Sequence, residues 1–145
     1  VAELSLSDAQ TIIAGALAHA EAEGLKPLCV AVLDARGALK AVATQDGSSL
    51  KRAEIAIGKA NGAVSLGMGS RALFKRAEQQ AYFISAAASV IGGSLVPVPG
   101  GVLIKAKGKK GALLGAVGVS GDTSDNDEAA ALAGVKAAGL VGDPG

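Results

Sequence analysis

Large aromatic side chains are almost absent from this chain. There is no Trp, and Phe74, Tyr82 and Phe83 are the whole aromatic complement of 145 residues. The core must therefore be built from Ala, Val, Leu and Ile, which bury less area per residue than rings do. Burial this thin favours further burial between copies, so a homo-oligomer is expected. Reactive groups are as scarce. A single cysteine, Cys29, excludes an internal disulfide, and its apolar neighbours make it a small buried side chain. The single histidine, His19, is the only base available to a Ser-His-Asp or Cys-His arrangement, and it lies on a different element from Cys29. A His/Cys zinc site cannot be assembled within one copy except as an open or shared one. There is no phosphate-binding loop and no dinucleotide fingerprint. No apolar run is long enough to span a bilayer. No basic segment followed by an apolar one opens the chain, so a cytoplasmic location is expected; the start at Val1 leaves a processed leader open. Acids and bases are interspersed and the net charge is +1, so neither nucleic acid nor a membrane surface is an expected partner.

What is present is small apolar residues in clear periods. Ser7-Asp8-Ala9-Gln10 reads as a capping box, and Ile12, Ile13, Ala16, Leu17 and Ala20 follow at helical spacing up to Gly24. Leu28 to Leu33 is a continuous apolar run, as in a strand buried on both faces. The turn Asp34-Ala35-Arg36-Gly37 returns the chain as a second strand from Ala38 to Thr44. A helix is predicted from about Leu50 to Val64 and another from Ser70 to Gln80. Tyr82 to Val90 stays ambiguous between helix end and loop. Met68 and the three aromatics cluster between positions 68 and 83, as a satellite apolar cluster, a subunit interface or a ligand-pocket wall. Gly92-Gly93 turns the chain into three strands, the last two joined by a turn bearing Lys105, Lys107, Lys109 and Lys110. A helix from about Ser124 to Leu140, capped by Thr123 or Ser124, precedes a frayed tail. This order predicts one α+β domain over 1–145, with a five-stranded, mainly antiparallel sheet and helices on its faces.

The most distinctive stretch runs from Leu95 to Glu128. Leu95-Val96-Pro97-Val98-Pro99-Gly100-Gly101-Val102-Leu103-Ile104 is followed by Gly115-Ala116-Val117-Gly118-Val119-Ser120-Gly121-Asp122-Thr123-Ser124-Asp125-Asn126-Asp127-Glu128. With Leu6-Ser7-Asp8-Ala9, Val30-Ala31-Val32-Leu33-Asp34, Asp46-Gly47 and Ala56-Ile57-Gly58-Lys59-Ala60, it resembles the GlcG/HbpS-like family. That family includes haem-binding proteins and the C-terminal domain of the PduO corrinoid adenosyltransferases. The resemblance implies a profilin-like or GAF-like sandwich, a homo-oligomer, and a small ligand such as haem or a related tetrapyrrole. It also leaves open an enzyme or accessory acting on a small oxo- or hydroxy-acid.

Two sets of candidate residues follow. Because the resemblance is to haem binders, His19 is a candidate iron ligand, beside Cys29, Met68 and Tyr82 as the other conventional donors. A lone helical histidine is also a common surface residue. Lys59, set among Ala and Ile, is a candidate to hold a carboxylate or, if desolvated, to move a proton. Gly100, Gly101 and Gly121 are candidates to offer backbone N–H groups to an anion. Lys59 with these glycines would frame a pocket for a small organic acid.

Overall fold

The computed structural model describes residues 3–108 and 111–145. Its elements are α1 (Leu6–Glu23), β1 (Cys29–Asp34), β2 (Leu39–Thr44), α2 (Arg52–Leu66), α3 (Ser70–Gln79), α4 (Ala81–Ile91), β3 (Gly101–Lys105), β4 (Leu113–Ser120), α5 (Ser124–Ala137) and β5 (Val141–Asp143). The strands form one five-stranded sheet in the order β2-β1-β4-β3-β5. Every pairing is antiparallel. The architecture is α+β, as the element order predicts.

Alternation along the central strands builds two cores. Val30, Val32, Val117 and Val119 face one side, where Ala9, Ile12 and Ala16 of α1 and Ala130, Ala131 and Val135 of α5 cover them. Cys29, Ala31, Leu33, Leu103 and Ala116 face the other side, against Ala56, Ala60 and Ala63 of α2. The run through β1 is buried on both faces, as its lack of alternation implies. Close approach replaces large side chains here. A Cβ at Gly118 of β4 would overlap the Ala56 carbonyl, so α2 lies directly on the sheet backbone.

A third, smaller cluster joins α3 and α4. Leu73, Ile84, Ala87 and Leu95 form it, with Met68 and Phe83 packed against it. The ambiguous stretch is thus a helix, α4, ended by the left-handed Gly92. Met68 and Phe83 belong to a satellite cluster, whereas Tyr82 is 73% exposed.

Four local expectations are corrected. Ser5, not Ser7, caps α1: its backbone is extended and its hydroxyl accepts from Asp8 N, while Ser7 already lies inside the helix. Leu95 to Val98 is not a strand. Pro97 and Pro99 lack ladder donors, and Val96 N turns instead to the Gly58 carbonyl of α2. The fifth strand is β5, in what reads as a frayed tail, pairing Ile104 with Gly142. α5 stops at Ala137, three residues short of the predicted Leu140. In the basic turn, Lys105 is no free surface charge but pairs with Asp143 at 2.8 Å. Lys109 and Lys110 lie outside the described residues.

Candidate functional site

Lys59 is the only charge among the buried residues of α2, and Asp127 the only one among those of α5. An isolated charge on a buried face is costly unless paired, and these two find each other. They meet at the end of the sheet where β4 gives way to the Gly121 turn. Lys59 Nζ donates to Asp127 Oδ2 at 3.1 Å and to the Val119 carbonyl at 2.9 Å. Each residue is only 2% exposed. Asp127 Oδ1 accepts from Asp122 N at 2.9 Å, so both carboxylate oxygens are engaged. The carboxylate also stands in the first turn of α5, at the positive end of the helix dipole.

The loop before β3 closes over the lysine. Gly100 has φ 125°, and a Cβ there would come within 2.8 Å of Lys59 Nζ. A Cβ at Gly101 would overlap the Lys59 carbonyl. The structure therefore brings Lys59, Gly100 and Gly101 together. Gly121 adjoins the same pair through Asp122. Two of the donors at this corner, however, are used within the chain. Gly101 N donates to the buried Ser70 hydroxyl at 2.6 Å, and the N–H after Gly121 goes to Asp127. Burial pushes the Lys59 ammonium below the usual lysine range, the Asp127 carboxylate pulls it back up, and the nearby Arg52 guanidinium adds to the depression.

Arg52, in the first turn of α2, is the second cation here. Its Nε donates to Ser49 Oγ at 2.9 Å and its Nη1 to Ser120 Oγ at 3.0 Å. Ser120 is fully buried, in register with Cys29 of β1, which in turn faces Thr44 of β2. Thr44 donates to the Cys29 sulfur at 3.3 Å. Burial pushes the Cys29 thiol up, against reactivity as a thiolate.

His19 lies elsewhere. α1 covers the opposite face of the sheet from α2. His19 is half-buried, one turn beyond Gly15, whose own approach to Ala137 marks the α1–α5 contact. It is not brought together with Lys59 or the glycines. A hollow of about 610 Å³ at the end of α1 is lined by Ala20, Glu21, Pro27, Thr44 and Asp46 rather than by His19. A smaller one of about 330 Å³ lies between Phe74, Pro99 and Thr123, next to Arg71, which pairs with Asp125 and Glu128. Among the described residues, no three His, Cys, Asp or Glu side chains group as a metal site.

The family model described as haem degrading protein HbpS-like matches residues 4–136. The chain belongs to the HbpS-like family. Solved structures carry the same fold. A crystal structure of a PduOC–haem complex is 24% identical, with a TM-score of 0.81 over 94% of this chain and 95% of that one. The Klebsiella pneumoniae protein ORFY is 21% identical, with a TM-score of 0.82 over 96% of this chain and 92% of that one. A double mutant of HbpS from Streptomyces reticuli is 28% identical, with a TM-score of 0.76 over 94% of this chain and 87% of that one. No curated protein matches the chain.

Sequence reasoning missed the partner of Lys59. The signal was present: Asp127 shares one helical face with Ala130, Ala131 and Gly134, and an acid on an apolar stripe calls for a cation. Ser70 gave no such signal, because a helix-starting serine does not reveal that its hydroxyl will meet a strand.

Proposed function

We propose that this protein binds haem or a related tetrapyrrole. The observation that carries the reading is the match of the haem-degrading HbpS-like family model across residues 4–136. The haem complex of PduOC, a protein with the same fold, supports it.

The donor inventory fits such a ligand at the surface rather than in a deep pocket. Of the conventional axial donors, Cys29 is sealed in β1 with its thiol held protonated, and Met68 packs into the α3–α4 cluster. That leaves the half-buried His19 and the exposed Tyr82. His19 is the stronger donor for iron, because an imidazole nitrogen is a common axial ligand of haem. Bound haem would supply its own iron chemistry; the chain would supply the ligand and the apolar cover. The chain carries only three aromatic residues, so a second copy would complete that cover.

Gel filtration tests the reading. Haemin mixed with the protein is expected to co-elute with it at a fixed stoichiometry, in a peak heavier than a monomer by light scattering. Haemin that elutes free of the protein would overturn the reading.

A further inference from the structure

The anion expected beside Lys59 is supplied by the chain itself, as Asp127. The same cluster holds one cation more than that carboxylate can balance. Arg52 forms no ion pair with any described carboxylate. Its two hydrogen-bond partners, Ser49 and Ser120, are neutral hydroxyls. A guanidinium has five N–H donors in a rigid plane. Nε and Nη1 are held by the serines, and Nη2 has no partner among the described residues. The serines thus fix the plane of the group and leave its outer edge open. Ser120 is fully buried and Ser49 exposed, so the guanidinium spans from the buried end of β4 to solvent.

We infer that Arg52 is a binding site for a small carboxylate, which it takes on the open Nη2 edge of a guanidinium clamped by Ser49 and Ser120. Three features support this class of ligand. Three of the five N–H groups, one on Nη1 and two on Nη2, remain in one plane, and a planar carboxylate can accept from two of them in a way that a point charge cannot. The half-buried setting weakens screening by salt, so the attraction exceeds that of a surface arginine. The positive field of the Arg52–Lys59 pair is only half cancelled by Asp127, so an added anion relieves repulsion between the two cations. The site stands on the opposite face of the sheet from His19 and does not rest on the haem reading.

The test is a titration of the apo-protein with acetate, against chloride at equal ionic strength, read by ¹⁵N NMR at the Arg52 Nε–Hε resonance. The expected result is a saturable acetate-specific shift in the wild type and in His19→Ala. Arg52→Lys keeps the charge but loses the fork, and should weaken acetate binding, followed by backbone amides around Ser49 and Ser120, at least about tenfold. An Arg52 resonance that moves no further in acetate than in chloride would overturn the site. So would acetate affinity unchanged in Arg52→Lys. A response to phosphate without one to acetate would overturn the carboxylate assignment. The wild-type resonance answers the question even if a variant fails to fold. Haemin binding by the same samples keeps the two readings separate: His19→Ala should lose haemin and keep acetate.

Discussion

The Lys59–Asp127 pair is the strongest single commitment in the molecule. Neither residue has solvent to fall back on, so removing one partner leaves a buried charge alone. Asp127→Ala should cost about 3–5 kcal/mol in urea unfolding, whereas Lys59→Met combined with Asp127→Leu should cost less than Asp127→Ala alone. Equal losses would mean that the pair is not acting as a unit. Lys59 was legible as an unusual residue because it interrupts a run of small side chains. Its engagement was not, since nothing local to Gly58-Lys59-Ala60 says that a helix 68 residues later will present Asp127 to it.

At the level of elements, two contacts tie chain segments to the sheet and its helices. Asp122 ties the turn after β4 to α5 and to Lys26. Its carboxylate is lowered from 3.8 to about 2, first by the Asn126 side chain and then by the backbone N–H groups of Lys26 and Thr123. Because the folded value lies below the unfolded one, its contribution is present above about pH 4 and lost as pH falls through about 2. Asp122→Asn should flatten thermal stability across that interval; a wild-type acid slope unchanged in the variant would reject the assignment. β5 is the second contact. Its pairing with β3 and the Asp143–Lys105 ion pair cover an edge of the sheet. Deleting residues 141–145 should lower the melting temperature by several degrees. An unchanged melting temperature would show that β5 adds nothing. This strand was illegible because three residues carry no period, and only the exposed edge of β3 gives them a role. The strand expected instead, Leu95 to Val98, had the right apolar residues but prolines where ladder donors were needed. Turns built on local chemistry fared better: Gly24 ends α1, and Gly37 closes the β1–β2 hairpin through its N–H to Asp34.

At the scale of the whole molecule, the order of strands and helices was legible enough to give an α+β sheet with helices on both faces. The reason is that β1 and β4 announce their double burial through unbroken apolar runs. The grouping of candidate residues was legible only in part. Lys59, Gly100 and Gly101 converge, yet His19 falls on the other face, because sheet order rather than sequence distance decides which helices share a side. The haem reading is carried by the family match, and the proposed ligand His19 stands apart from the buried ion pair. A haemin titration of wild type beside His19→Ala, followed in the Soret region, tests it most directly. A saturable shifted band in the wild type, weakened at least about tenfold in His19→Ala, is the expected result. A wild type that produces no saturable band would contradict haem binding, and a band of equal affinity in both proteins would contradict ligation by His19.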